Sequence, residues 1–371
     1  MYLGLFMMPI HMLGRPLQEV IREDTEKIVL ADRLGFDEAW VGEHFAASTE
    51  PLTSPLIFMA SLLTRTKRIK FGTGVINLPN HHPAIVAGEV ALFDHMSNGR
   101  FIFGIGPGGL ASDLELFGNQ DSQVRGEKMI ESIDAILKIW GQDPPYHIHG
   151  RHWNIEIERA IVPALGVGYM CKPLQKPHPP IAVSAMSPNS VSVRTAAIRG
   201  WIPISANFVP DQSVASHWRM YQEGCETVGR PPSGAEWRVA RNIVVAPSEA
   251  EARERAFDPT GSTYFYYKYL WEGMKNSGYT IAMRPSPDSS DEQVTIEELI
   301  NHMVIFGKPS AVLDKLIAFR EGVGPFGGLL LAAMDWSGIN EKRERYGLRS
   351  LAERIMPRFS QHAASTRHPL A

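Results

Sequence analysis

Short apolar runs and amphipathic helical stretches alternate along this chain almost from end to end, and that alternation restricts the fold more than any other feature. Residues 2–8 read as a buried strand. A helix-period stretch follows over residues 16–34, with Val20, Ile28, Leu30 and Leu34 apolar and Gly35 as its stop. Further strands are expected at residues 38–43, 69–76, 100–105, 181–184, 201–205, 237–245 and 328–333. Helices are expected at 55–63, 83–96, 127–140, 190–199 and 214–228. Such alternation means parallel strands joined by right-handed crossovers. Eight strand–helix units in 371 residues fit an α/β chain closed as a (β/α)8 TIM barrel better than an open doubly wound sheet. Two stretches break the rhythm. Residues 141–180, rich in Pro, Gly and His, read as a hairpin or loop excursion. Residues 256–300 form a long irregular insertion before the last strand, holding Tyr264, Phe265, Tyr266, Tyr267, Tyr269 and Trp271 and then a polar run over 286–293. A mobile active-site lid is expected there, a packed structural helix being the other reading.

Charge and composition exclude other classes. The 37 basic and 40 acidic side chains leave a net charge of −3, without the basic face that nucleic acid demands. Hydrophobic residues at 44% and charged residues at 21% are an ordinary globular balance. The longest apolar run, residues 327–334, is far short of the ~20 residues of a membrane helix. No basic segment precedes the apolar residues 3–10, as a signal peptide requires. Cys171 and Cys225 have no spacing that suits a zinc site or a disulfide scaffold. A soluble, cytoplasmic protein is expected, with neither nucleic acid nor membrane as partner.

In a barrel of this kind the chemistry gathers at the C-terminal ends of the strands. Those ends deliver Met8, Glu43, His44, Asn77, Gly106, Ala185, Met186, Asn207 and Asp335. His44 is the most informative, because a histidine just past a buried strand can act as general acid or base near neutral pH. A hydrogen-bonded structural histidine is the competing reading. His81 and His82 precede Pro83, where a helix begins, so capping or packing accounts for them. His147, His149 and His152 offer an H-x-H spacing with no cysteine or carboxylate nearby to complete a tetrahedral site, so no metal is expected. The run GIGPGG at 104–109 fits the dinucleotide pattern, but GVGPFG at 322–327 fits it equally. The region ~20 residues after Gly109 also reads as helix rather than as the strand that would carry the ribose acid, which rejects a dinucleotide fold. SAMSPNS at 184–190 lies between strand and helix, where hydroxyls and free N–H groups suit a phosphate, an ordinary serine N-cap being the simpler local explanation.

Assembled, these pieces are specific. GFDEAWVGEHF at 35–45, RIKFGTGVINLPNHHP at 68–83 and LFDHMSNGRFIFGIGPGG at 92–109 resemble the bacterial luciferase-like, flavin-dependent monooxygenases, with weaker matches in PIAVSAMSPNS at 180–190 and IMP at 355–357. The Pro107-Gly-Gly loop and the run 177–180 look most like the limonene and diketocamphane monooxygenase branch. The resemblance implies a single (β/α)8 domain over residues 1–371 and a two-component, FMNH2- and O2-dependent monooxygenase. Reduced FMN from a separate NAD(P)H:flavin reductase would form a flavin C4a-(hydro)peroxide that oxygenates an apolar or cyclic organic substrate, by Baeyer–Villiger attack or hydroxylation. His44 matches the family's catalytic histidine and Glu43 its acidic neighbour. Gly74 and Val75 fall where the family often has a cis peptide beneath the flavin. Ser187 and Ser190 match phosphate-holding positions, and Asp113 a residue close to the isoalloxazine. Gly106, Ala185 and Met186 are taken for the cofactor side; Asn77, Asn207, Asp335 and the lid tyrosines Tyr264 and Tyr267 for the substrate side. One departure is Pro107, where luciferase carries an arginine; Arg194 is the candidate substitute. Helices 55–63 and 83–96 lie where relatives form a homodimer. Two rivals keep the fold. F420-dependent hydride transfer lacks a basic cluster on the C-terminal loops for that cofactor's acidic tail. A non-catalytic flavin binder would need neither the Glu43–His44 pair nor a long lid.

Overall fold

The computed structural model describes residues 1–286 and 288–365. Pro287, within the expected lid, and residues 366–371, at the end of the expected single domain, lie outside the described residues. The chain divides into two compact units. One comprises Met1–Trp40, Ser48–Glu50 and Ala182–Ala371, the other Val41–Ala47 and Pro51–Ile181.

In the first unit, parallel strands carry the core. Ile181–Ala185 pairs with Ile202–Ser205, which is followed by Arg238–Val245, Gly328–Ala332 and Tyr2–Met7. Leu3, Leu5, Met7, Val239, Leu329 and Leu331 are buried, the near-continuous apolar run of strands covered on both faces. A Cβ on Gly4 would lie 2.4 Å from Leu330 Cδ2, so glycine leaves the room that the Leu330 side chain fills. The helix Leu17–Leu34 stops where its sequence says: Gly35 adopts φ 86°, its N–H reaching Asp32 O while that of Phe36 reaches Ala31 O.

Arg238–Val245 is the longest strand of this sheet, with eight residues, and besides Ile202–Ser205 it serves two further neighbours. Arg238 to Arg241 pair with Gly328 to Leu331, and Asn242 to Val245 pair with Val304–Gly307. The stretch between those partners corrects one expectation. The helices Ser262–Ser277 and Ile296–Met303, preceded by Glu249–Phe257, occupy much of the expected irregular insertion, and turns remain between residues 278 and 295. Tyr266, Tyr267 and Trp271 are buried with Ile10, Met283, Leu299, Ile300, Met303 and Met334.

In the second unit, Lys70–Thr73 pairs in parallel with Phe101–Gly106, and Ile76–Asn77 pairs with Ile105 and Gly106. The Thr73 hydroxyl donates to Gly104 O and accepts from Gly104 N–H, at 2.7 and 2.8 Å. Helices Pro55–Leu62 and Pro83–Met96 each begin with proline and are capped by Ser54 and His82. Residues 141–180 contain the antiparallel hairpin of Tyr146–His149 with Asn154–Ile157. The Glu131 carboxylate clamps its turn by accepting from the backbone N–H groups of Arg151, His152 and Trp153. His147 and His149 are exposed on this hairpin. Among the described residues no helix is long and apolar enough to cross a membrane.

Candidate active site

The chain leaves the strand Glu38–Val41 and enters a loop of the second unit carrying Glu43 and His44. The His44 backbone N–H is tied to Leu52 O at 3.1 Å. Its ring Nδ1 lies 3.0 Å from Asp113 Oδ2. Asp113, buried on the short helix Ala111–Leu116, uses Oδ1 to accept from the N–H groups of Phe45 and Ala46 at 3.0 and 2.8 Å. One carboxylate thus fixes both the ring and the loop that carries it. Burial opposes the charge on Asp113, but the His44 hydrogen bond and the two amides win and hold it below the usual carboxylate range. With an anion at Nδ1, the neutral ring keeps its proton there and Nε2 is the basic nitrogen.

Glu43 has a different partnership from the one expected. Its Oε1 accepts from Asn77 N–H at 2.8 Å and from His81 Nε2 at 2.9 Å. Burial pushes His81 down, yet the Glu43 bond and charge together with Glu89 hold it above the ordinary histidine value. His81 therefore belongs to this site, whereas His82 caps a helix and packs its ring against Trp153, with centroids at 5.3 Å. The signal was its place four residues after the strand end at Asn77. The Phe45 ring packs against those of Phe117 and His81, with centroids at 4.9 and 5.9 Å. The Gly74–Val75 peptide is cis, and Gly74 N–H reaches Val41 O at 2.7 Å. Gly106 ends its strand opposite Asn77. Gly108 follows with φ 84°, the Asn77 side chain 3.5 Å from where a Cβ would sit.

The remaining expected residues lie in the first unit. Ala185 is buried at the end of its strand, with half-buried Met186 and Ser187 after it. A relay holds that loop: Trp237 Nε1–H donates to Ser205 Oγ at 3.0 Å, Ser205 Oγ meets His217 Nδ1 at 2.8 Å, and His217 Nε2 donates to Ser187 O at 2.8 Å. Burial, with the Arg241 charge adding to it, pushes His217 down to about 4, so it acts as a neutral link. Ser190 precedes the helix Val191–Arg199 without capping it. Its hydroxyl bonds Ser192 Oγ instead, at 2.8 Å, and the simple N-cap explanation falls. Arg194 is exposed on the same helix.

Asn207 is buried in a cluster that sequence reasoning saw only in part. Its Nδ2 donates to Asn242 Oδ1 at 2.6 Å and to the Tyr266 hydroxyl at 2.9 Å, while the Tyr267 hydroxyl donates to Asn242 Oδ1 at 3.0 Å. Tyr264 is only half-buried and reaches Glu297 at 3.2 Å. Asp335 is fully buried with both oxygens taken. Oδ2 accepts from His11 Nδ1 and Arg15 Nη1, each at 2.8 Å, and Oδ1 from Ser337 N–H at 2.8 Å. His11 Nε2 lies 3.3 Å from Asp24, and Asp24 also binds Lys27. This buried charge cluster, missed in the sequence, gives Asp335 an anchoring place rather than the expected one facing substrate.

The geometry now meets the comparisons. A family model described as luciferase-like monooxygenase matches residues 1–324. The 4-hydroxyprotoasukamycin monooxygenase of Streptomyces nodosus subsp. asukaensis is 30% identical, covering 96% of this chain and 92% of its own. The limonene 1,2-monooxygenase of Rhodococcus erythropolis is 28% identical, over 96% and 86%. The oxygenase component of the flavin-dependent trigonelline monooxygenase of Acinetobacter baylyi is 27% identical, over 95% and 93%. Among solved structures, the oxygenating constituent of 3,6-diketocamphane monooxygenase of Pseudomonas putida, a type II Baeyer–Villiger enzyme in complex with FMN, matches with TM-score 0.85. Its sequence is 24% identical, over 96% of this chain and 98% of its own. That likeness shows the fold to be the (β/α)8 barrel expected from the alternation.

Proposed function

The chain belongs to the luciferase-like monooxygenase family, and from that premise we propose that it is the FMN-dependent oxygenase component of a two-component system. A separate NAD(P)H:flavin reductase supplies reduced FMN in the cytoplasm, and one atom of O2 enters an apolar or cyclic organic substrate. Two relatives support the reading: one is named an oxygenase component, the other a Baeyer–Villiger enzyme in complex with FMN.

The observation that carries it is the His44–Asp113 pair. Reduced FMN, when bound, supplies the activation of O2; the protein orients, excludes water and manages protons. His44 would take up or return a proton at Nε2, while Asp113 orients the ring and stabilises its charged form. Glu43 and His81 hold the Asn77 backbone in place. Gly74, Val75 and Gly106 are assigned to the flavin ring. The phosphate is assigned to Ser187 and Ser190, with Ala185 and Met186 carrying that loop. The donor set fits, because Ser190 makes no capping bond and so leaves the first N–H groups of its helix for an anion. Asn207, Tyr264 and Tyr267 are assigned to the substrate side; Asp335 is not.

Helices Pro55–Leu62 and Pro83–Met96 leave Ile57, Ile85, Leu92 and Met96 more than half exposed, an apolar face that suits a homodimer. The decisive experiment supplies reductase, NADH, FMN and 18O2 with a panel of cyclic ketones and terpenes. The expected product carries one 18O from O2. Reduced FMN oxidised at the rate of free flavin, with no labelled product from any substrate, overturns the reading.

A further inference from the structure

A cavity remote in role from the residues above lies in the first unit, between the start of the helix Ser262–Ser277 and the helix Asn340–Ser350. Arg255, Ser262, Thr263, Asn340, Arg343 and Glu344 supply its polar wall, and Val244 and Leu331 its floor. The first backbone bond of the helix runs from Phe265 N–H to Gly261 O, so the N–H groups of Ser262, Thr263 and Tyr264 have no acceptor within it. Gly261, at the N-cap, has no side chain to accept from them. Ser262 and Thr263 are only 7% and 4% exposed, and neither hydroxyl has a hydrogen-bond partner among the described residues. Lining the cavity, these donors are available to an acceptor that enters it. Two cations converge on the same space. Arg343 makes no ion pair within 4 Å among the described residues, its charge reaching Asp258 at longer range, and Arg255 keeps a buried Nε without a partner while its other nitrogens reach Glu251 and Val245 O.

We propose that this cavity binds a small tetrahedral oxyanion, of sulfate or phosphate chemistry, held by the helix start, the two hydroxyls and the two guanidinium groups. Donors, positive charge and the positive end of a helix of sixteen residues all point at one acceptor-rich, negatively charged guest. Bound there, the ion joins the helix bearing Tyr266 and Tyr267 to the helix that follows the last strand. Glu344 sets the conditions. Burial pushes its carboxyl up to about 7, against the pull of Lys27 from the helix Leu17–Leu34 and of Arg255 from Glu249–Phe257, with Arg343 on its own helix. Below that pH the acid is neutral and can donate to the guest; above it, the carboxylate repels it.

The site is independent of the flavin reading, and calorimetric titration with sodium sulfate, whose charge does not change near neutrality, separates the two. Saturable binding is expected with and without saturating FMN, tighter below pH 7 than above it. Arg343→Gln and Thr263→Val should each weaken it about tenfold or more, and Glu344→Gln should remove its pH dependence. A parallel titration with glycerol 3-phosphate identifies the source. Binding of sulfate alone marks a free ion as the guest, and binding of both marks a phosphate ester. Absence of saturable sulfate binding overturns the proposal. So does binding that FMN abolishes and Arg343→Gln leaves unchanged, which would put the ion at Ser187 and Ser190.

Discussion

His11 and His44 both lie a few residues past the end of a strand, and both hold an aspartate through Nδ1, at 2.8 and 3.0 Å. His11 is 1% exposed, with Asp335 on one ring nitrogen and Asp24 on the other. Arg15 and Lys27 complete the balance of charge around it. The His44 side chain keeps 14% of its surface, and its aspartate spends its second oxygen on the backbone of the same loop. A histidine clamped between two carboxylates has no nitrogen left for chemistry and works as a buried cation. His44, oriented through Nδ1 by an anion and partly accessible, is the residue proposed to carry protons. Residue types are the same in both; accessibility separates them.

The largest effect expected is therefore on stability. His11→Leu removes one buried partner from each of Asp24 and Asp335 and should cost about 3–5 kcal/mol. It should appear as a lower urea midpoint, while turnover per folded molecule is kept. A loss under about 1 kcal/mol would break the comparison on the structural side. Next, His44→Ala should lower turnover by ~10²-fold or more, with FMN affinity and urea midpoint nearly unchanged; retained activity would make His44 another structural histidine. Asp113→Asn should cost about tenfold or more and displace the pH–rate profile toward acid, since the neutral amide no longer supports the charged ring. The smallest effect concerns pH. His11 is held above its ordinary value because its two aspartates outweigh burial, the largest single influence. Its contribution is complete below the unfolded value of ~6.5 and disappears as pH rises through the folded one. The difference in urea midpoint between the natural protein and His11→Gln should shrink from acid toward alkaline pH. His81 carries the same sign in both proteins and cancels.

The barrel was legible because parallel strands buried on both faces announce themselves as apolar runs, as in the Leu329-Leu330-Leu331 stretch. His44 was legible because topology alone places it at a strand end. Its partner was marked only by resemblance: Asp113 lies 69 positions away on a helix of six residues, too short for a period to show. Glu43 was assigned to its sequence neighbour, yet a neighbour in sequence points elsewhere once a strand has ended, and it braces His81 instead. The aromatic run at 264–271 read as irregular because adjacent tyrosines, Tyr266 and Tyr267, are both buried, which blurs the single stripe of an amphipathic helix. The clearer sign was Gly278, which ends that helix at φ 68°.

The divided strand Arg238–Val245 has a consequence for how such a protein diversifies. The chain departs at Ala246 and comes back at Gly307, and those two residues are hydrogen-bonded to each other, 3.1 Å apart. Everything between them begins and ends at one clamp. Loop closure there costs little more for a long segment than for a short one, each doubling adding only ~0.6 kcal/mol. The three helices form a cassette that can lengthen, shorten or be exchanged for another while Arg238 to Arg241 keep their register with Gly328 to Leu331. An exchange of that part leaves the chain segments that carry His44 and Asp113, which belong to the other unit, with their own hydrogen bonds.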